Sequence, residues 1–141
     1  MNLSSLERIY PADGSPEIIA GNETLHLHLQ RYHYAGQWLL PGTVADLACG
    51  SGYGSYLLAT EYGNQLNQII AIDNSPVAID YCKKFYSHKK IIYELNDVFD
   101  FRPTVVINTI VSLETIEHLT EPAHFVTQLA SILAKGGRLI A

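Results

Sequence analysis

The chain has 141 residues and a formal net charge of -5, and hydrophobic residues make up 48% of it. This length predicts a single domain with its own core, and the apolar content excludes a disordered chain. The densest basic cluster, formed by Lys83, Lys84, Lys89 and Lys90, is typical of a solvated helix end. Nucleic acid is therefore not expected as a partner.

The remaining composition argues against membranes and metals. No apolar run approaches the length that spans a bilayer. Cys49 and Cys82 lack the spacing of a zinc site or a disulfide framework. His26, His28 and His33 lie in one segment without an acid or cysteine at ligand spacing, so they are interpreted as surface or packing residues. We expect a cytoplasmic protein with no membrane contact and no bound metal.

Strand and helix patterns alternate along the chain. Residues 1–22 are predicted to form an irregular arm, and residues 23–141 the folded domain. A helix is predicted over residues 23–40, although alternating leucines there also fit a strand. Strands are predicted at residues 44–48, 69–72, 91–95, 105–112 and 138–141. This alternation predicts an α/β fold with a doubly wound, mostly parallel sheet.

Three further helices are predicted between these strands. The first follows residue 55 and ends at Gly63, and the second begins at Ser75 and Pro76, which supply a cap and a first-turn proline. The last begins near Pro122 and is expected to end at the glycines of positions 136 and 137. Its positions 126, 129 and 133 are expected to face the sheet.

A glycine-rich turn joins the first predicted strand to a helix. Residues 44–55 read V-A-D-L-A-C-G-S-G-Y-G-S, with Gly50, Gly52 and Gly54 at alternate positions. Glycine permits positive φ and lets the backbone approach a ligand closely. The dinucleotide fingerprint requires another glycine where this chain has Ser55. A tight turn without any ligand is the alternative interpretation.

The turn, with Asp46 four residues before Gly50, resembles the first motif of class I S-adenosylmethionine-dependent methyltransferases. The resemblance runs from about residue 25 onward and includes V-S-L-E-T-I-E-H-L at residues 111–119, which is similar to the fourth motif of that family. One departure is Asn108, where the family commonly has aspartate, and it weakens the expectation that this side chain anchors a loop. The resemblance implies a Rossmann-like fold, the cofactor S-adenosyl-L-methionine with its product S-adenosyl-L-homocysteine, and methyl transfer to a small or medium-sized metabolite.

The resemblance also implies the cofactor contacts. Asp73, 19 residues after Gly54, is expected to accept hydrogen bonds from the ribose, with helix capping as the alternative. Asp97 and Val98 look like the pair that reads adenine, although a simple turn is also possible. Arg31 is implied to pair with the methionine carboxylate, with a solvated side chain as the alternative. The whole predicted cofactor set is Arg31, Tyr34, Ala48, Gly50, Gly52, Asp73, Asn74, Asp97, Val98 and Leu113.

If the methyl acceptor is a hydroxyl, His118 is the best-placed general base, with Glu114 and Glu117 as alternates. Two other functions stay open. One is a non-catalytic cofactor-binding or assembly subunit, and the other is an NAD(P)-dependent oxidoreductase or epimerase.

The sequence stops a few residues into the fifth predicted strand, whereas the family has about seven strands. We expect this chain to lack the C-terminal strands, and therefore to bind the cofactor with impaired catalysis. An exposed sheet edge is also expected to cause self-association.

Overall fold

The computed structural model describes residues 9–10 and 23–141. In chain order its main elements are α1 (Glu23–Gly36), β1 (Gly42–Leu47), α2 (Tyr53–Tyr62), β2 (Leu66–Asp73), α3 (Pro76–Phe85), β3 (Ile91–Leu95), β4 (Ile107–Val111), α4 (Pro122–Ile132) and β5 (Leu133–Ile140). Short 3₁₀ turns lie at Gly63–Gln65 and Ile116–His118. Apart from residues 9 and 10, the predicted N-terminal arm lies outside the described residues.

The five strands form one sheet in the order β3-β2-β1-β4-β5, and every neighbouring pair is parallel. The central strands are almost wholly buried, as their continuous apolar sequences require when helices cover both faces of a sheet. The predicted doubly wound α/β fold is confirmed. Because β2 and β4 flank β1 on opposite sides, the strand order switches direction at β1, where such sheets bind ligands.

Two apolar clusters cover the two faces of the sheet. Val44 packs with residues of α1, α2 and α3, whereas the adjacent Ala45 packs with Phe125 and Leu129 of α4. Successive side chains of a strand point to opposite faces, so these clusters lie on opposite sides. The three helices on one face therefore hold the segment before β1 and the turn after it against the sheet.

The last third of the chain differs from the sequence-based expectation at its boundaries. Strand β4 begins only at Ile107, because Val105 and Val106 are exposed and unpaired with the sheet. Helix α4 ends at Ile132 rather than at the glycines, since Leu133 adopts an extended conformation and pairs with Ile107.

The buried face of α4 also differs from the expectation. Phe125 is fully buried and packs with the second cluster together with Leu129. Val126, which was expected to face the sheet, is 37% exposed. Leu129 faces the sheet as expected, so the buried face of the helix is turned towards Phe125 by less than one residue step of about 100°.

Asn108 anchors the start of β1, although its departure from the family's aspartate had weakened the expectation of an anchoring role. Its side-chain oxygen accepts a hydrogen bond of 2.9 Å from the backbone N–H of Thr43, at the start of β1. The side-chain carbonyl of an amide serves as an acceptor as a carboxylate would. Asparagine at this position therefore keeps β1 fixed against β4.

Candidate functional site

A cavity of about 380 Å³ opens where β1, β2 and β4 end, at the switch point of the strand order. Cavities of this size accommodate small-molecule ligands. Its walls come from α1, the turn after β1, and the segments that follow β2, β3 and β4. Ile9 of the N-terminal arm also lines it, and the Ser51 hydroxyl donates a hydrogen bond to the Ile9 carbonyl.

Most of the predicted site residues lie around this cavity. Those that line it are Arg31, Ala48, Gly50, Asp73, Asn74, Asp97, Val98, Leu113 and His118. Tyr34 does not: it is 60% exposed, and its ring lies near Trp38, with 6.2 Å between the ring centroids. The prediction that Tyr34 lines the pocket is corrected, because α1 turns this side chain away from the sheet.

The glycine turn presents its backbone to the cavity at Gly50. Gly50 has φ +61°, and no other atom of the described residues lies within 4 Å of the position that a Cβ would take. Gly52 has φ +96° and does not line the cavity, since a Cβ there would lie 2.8 Å from the sulfur of Cys82 on α3. Gly50 thus borders the ligand space, whereas Gly52 allows close packing of the turn on α3.

Asp73 connects the end of β2 to the glycine turn. Its Oδ2 accepts a hydrogen bond of 2.9 Å from the backbone N–H of Gly50, and its Oδ1 accepts one of 3.0 Å from Ser75. The Ser75 hydroxyl itself caps α3 by accepting from Ala78 at 3.2 Å. Asp73 therefore holds the glycine turn to the end of β2 while it lines the cavity.

Asp97 lines the cavity and also closes a turn. Its Oδ1 accepts a 2.8 Å hydrogen bond from the N–H of Phe99, and its carbonyl accepts one of 3.0 Å from Asp100. The Gln128 amide of α4 donates to the carbonyls of Val98 and Phe99 at 3.3 and 2.8 Å. The turn that the sequence left open is thus present, and it holds Asp97 and Val98 in fixed positions at the cavity wall.

Helix α1 contributes two polar pairs to the cavity. The Arg31 guanidinium forms an ion pair with Glu114, which follows β4. One turn earlier, His28 Nδ1 lies 2.7 Å from the hydroxyl of Tyr53, at the start of α2. His28 was expected to be a surface or packing residue and Tyr53 was not predicted, but both line the cavity. Positions 28 and 31 share one helix face, which is the signal that could have identified His28. Partly exposed ion pairs contribute about 1 kcal/mol or less, so a ligand carboxylate can compete for Arg31 at small cost.

Behind the α1 wall lies a buried carboxylate, that of Asp46 on β1. The hydroxyl of Tyr32 donates to both of its oxygens at 3.1 Å, and the hydroxyl of Ser55 donates to Oδ2 at 2.5 Å. Burial raises the pKa of Asp46 from 3.8 to about 6, and the hydrogen bonds from Ser55 and Tyr32 oppose that rise. We call Tyr32, Asp46 and Ser55 the Asp46 junction.

His118 lies in the 3₁₀ turn after β4, and its imidazole borders the cavity. Its side chain is 38% exposed, and its Nε2 lies 3.8 Å from a carboxylate oxygen of Glu117. Among residues 9–10 and 23–141, no three His, Cys, Asp or Glu side chains are arranged to hold a metal ion. Over the same residues, no helix has the length and apolar content needed to cross a bilayer.

Comparison with known proteins gives consistent matches. Residues 45–141 match the family model described as a methyltransferase domain. A probable S-adenosylmethionine-dependent methyltransferase of Mycobacterium tuberculosis is 29% identical over 97 residues, which are 69% of this chain and 34% of that protein. A carboxy-S-adenosyl-L-methionine synthase of Sodalis glossinidius is 32% identical over 112 residues, which cover 75% of this chain and 45% of the relative. The chain thus spans less than half the length of either relative.

A solved structure shares the fold. The N-methyltransferase NodS from Bradyrhizobium japonicum, in complex with S-adenosyl-L-homocysteine, superposes with a TM-score of 0.70 at 20% identity. The match covers 96% of this chain and 69% of NodS. At this identity the likeness supports the architecture of the sheet and helices.

Proposed function

Because the chain belongs to the methyltransferase-domain family, we propose that its cavity binds S-adenosyl-L-methionine and that the protein transfers the methyl group to a small or medium-sized metabolite. The observation that carries this proposal is the hydrogen bond of 2.9 Å between Asp73 and the Gly50 backbone, with both residues on the cavity wall. This hydrogen bond links Asp73, an acid that can accept hydrogen bonds from ribose hydroxyls, to Gly50, which has open space where a Cβ would lie.

The cavity wall offers a partner for each part of the cofactor. Asp73 suits the ribose, and the fixed turn of Asp97 and Val98 suits the adenine. Arg31, across the cavity mouth, suits the carboxylate of the amino-acid end. The open space beside Gly50 lets the amino-acid part of the cofactor pass close to the protein backbone. The chemistry of these lining residues supports S-adenosylmethionine as the ligand.

When bound, this cofactor supplies a methyl group on a positively charged sulfur, which is already a good electrophile. The task of the protein is then to align the acceptor with the methyl group and to exclude water. Leu113 and Leu119 supply apolar wall next to His118. For a hydroxyl acceptor, His118 accepts the proton, because it lines the cavity and an imidazole nitrogen can serve as a general base.

The rival assignments are an NAD(P)-dependent enzyme and a non-catalytic subunit. Tyr86 and Lys90 have the Tyr-x-x-x-Lys spacing of some nicotinamide enzymes, yet neither is among the cavity-lining residues. Tyr86 is only 1% exposed, and the Lys90 ammonium donates to the carbonyl of Gly63 at 2.5 Å. These positions disfavour the nicotinamide reading.

Equilibrium dialysis against labelled S-adenosylmethionine and labelled NAD tests the cofactor. We expect saturable binding of the first and none of the second, and saturable NAD binding alone would refute the proposal. Incubating the same protein with labelled S-adenosylmethionine and an acceptor library tests the transfer. Binding without any transfer would favour the non-catalytic subunit.

The acceptor class and the location are part of the proposal. The lysines of positions 83, 84, 89 and 90 stand outside the cavity lining, which supports an acceptor other than nucleic acid. The free, buried thiols of Cys49 and Cys82 support a reducing, cytoplasmic setting. A competition experiment with bulk RNA, in which S-adenosylmethionine turnover on a small acceptor should stay unchanged, tests the first of these.

We also propose self-association through a sheet edge. β3 and β5 are the two edges of the described sheet, and β3 exposes Ile92 at 47% and Leu95 at 55%. Edge strands with apolar side chains pair readily with a second chain. Sedimentation velocity over a range of concentrations tests this, and a monomer at every concentration would contradict it.

A further inference from the structure

Three elements of the fold meet at one buried carboxylate, that of Asp46. Tyr32 reaches it from α1 and Ser55 from α2, while Asp46 itself belongs to β1. All three side chains are at most 6% exposed. The proposed chemistry does not use this group directly, since Asp46 does not line the cavity.

The Asp46 junction controls how α1 lies on the glycine turn. A Cβ on Gly54 would collide with the ring of Tyr32, so this ring lies directly on the backbone of α2. Tyr32 lines the cavity together with Arg31, which directly precedes it, and His28, about one turn earlier. A shift of the Tyr32 hydroxyl therefore moves the cavity-facing side of α1.

We propose that Asp46 is a positioning residue of the cofactor site, which acts through Tyr32 to hold Arg31 for the amino-acid end of the ligand. This inference rests on the proposed function, because it assumes that the cavity binds an S-adenosyl compound. The inference goes beyond the proposed function because it assigns ligand selectivity to Asp46, which lies outside the cavity lining.

The groups around Asp46 are acids and hydroxyls. They are Tyr32 from α1, Cys49 and Tyr53 from the turn and α2, Asp73 from β2 and Tyr93 from β3. On β4 the residue that pairs with Asp46 is Val111, which is apolar. Burial, with a smaller effect of the Asp73 charge, therefore leaves Asp46 with a pKa of about 6.

Protonation of Asp46 disturbs the junction. Two hydroxyl donors already point at the carboxylate, and a protonated carboxyl group adds a third hydrogen to the same space. One hydroxyl must then rotate and accept the carboxyl proton instead of donating, which replaces a charge-assisted hydrogen bond of Tyr32 or Ser55 by a weaker neutral one. The affinity for a ligand with an amino-acid end should consequently fall as the pH drops through about 6. The affinity for a ligand without that end should stay nearly constant.

Calorimetric titration with S-adenosyl-L-homocysteine and with 5′-methylthioadenosine, which lacks the amino-acid end, tests the proposal. Tyr32→Phe should weaken binding of S-adenosyl-L-homocysteine by about fivefold or more, the lower range of typical coupling between sites. Binding of 5′-methylthioadenosine should change by less than about twofold.

Tyr62→Phe is the matched control. The Tyr62 hydroxyl also joins α2 to α1, by donating to the His33 carbonyl at 3.1 Å, and its ring lies over Gly36 as that of Tyr32 lies over Gly54. Unlike Tyr32, it does not line the cavity, so both affinities should match those of the wild type. Asp46 also lies outside the lining, so the Asp46→Asn arm separates the positioning role from a direct contact of Tyr32 with the ligand. If Tyr32→Phe binds both ligands like this control, or loses both equally, the positioning role is refuted.

Asp46→Asn supplies the second arm. In the wild type the affinity for S-adenosyl-L-homocysteine should fall below a pH of about 6, and in the variant this dependence should disappear. An identical pH profile in both proteins would overturn the proposal. If the wild type binds neither ligand, the proposed function itself fails, and the inference fails with it. If it binds both ligands while the variants behave as the control does, only the inference fails.

Discussion

The buried carboxylate of Asp46 should make the protein less stable as the pH rises. Its pKa in the folded state is about 6, above the ordinary value of 3.8, so the folded protein holds this proton more tightly than the unfolded chain does. Between these two values the unfolded chain ionises while the folded protein stays protonated, which favours unfolding. At about 1.4 kcal/mol for each pH unit, ionised Asp46 costs the folded state about 3 kcal/mol at neutral pH.

Urea denaturation of the wild type and of Asp46→Asn, between a pH of about 4 and about 7, measures this cost. Asparagine does not ionise, so the stability of the wild type relative to the variant should fall by about 2 kcal/mol across that range, since the unfolded chain is already partly ionised at its lower end. Other titrating groups largely cancel in the difference. Asp80→Asn, which changes an exposed carboxylate on α3, is the control and should give a nearly flat difference. A flat difference for Asp46→Asn as well would refute the argument. The contribution of Asp46 to stability rises on acidification while the inferred ligand affinity falls, so the two effects of this carboxylate have opposite pH dependences.

Three further substitutions test the site. Asp73→Ala should weaken S-adenosylmethionine binding by about 1.5 to 3 kcal/mol through the lost charge-assisted bonds; unchanged affinity in a calorimetric titration would remove the ribose assignment. Gly50→Val should abolish binding in equilibrium dialysis, because its side chain would fill the ligand space. Gly136→Val is the control, because Gly136 also has a positive φ and open space around its Cβ position among the described residues. It lies in β5, outside the cavity lining, so an equal loss of binding in both variants would show that backbone strain alone is the cause. His118→Ala should lower turnover with a hydroxyl acceptor while leaving the affinity for S-adenosyl-L-homocysteine unchanged. If the variant and the wild type have equal turnover at every pH, His118 is not the base and catalysis rests on alignment of the acceptor with the methyl group.

The sheet was predictable because its central strands carry continuous apolar runs between strong turn signals. The predicted third strand agrees with β3 residue for residue, and β2 extends its prediction at both ends. Strand β1 begins two residues before its prediction and ends one residue before it. Helix α4 was harder to bound. Its glycines at 136 and 137 resemble a helix stop, but pairing of Leu133 with Ile107 ends the helix earlier. Such long-range pairing has no local signature.

The two tyrosines of α1 show what helical periodicity alone leaves undecided. Positions two apart on a helix lie about 200° apart around its axis, so Tyr32 and Tyr34 cannot face the same side. The structure buries Tyr32 to 6% exposure on Asp46 and leaves Tyr34 at 60%. The choice depends on the buried carboxylate of β1, which lies 14 residues further along the chain than Tyr32. Residue type and spacing therefore identified the helix but not the tyrosine that serves the site.

The G-x-G-x-G spacing of the turn has three separate physical causes. Only Gly50 borders the ligand space, with nothing among the described residues near its missing Cβ. Gly52 makes room for Cys82 of α3, and Gly54 makes room for the ring of Tyr32. Two of the three glycines thus serve contacts between helices, and one of these contacts seats the Asp46 junction. A substitution at Gly54 should therefore act on ligand binding through the position of α1, although the residue lies outside the cavity lining.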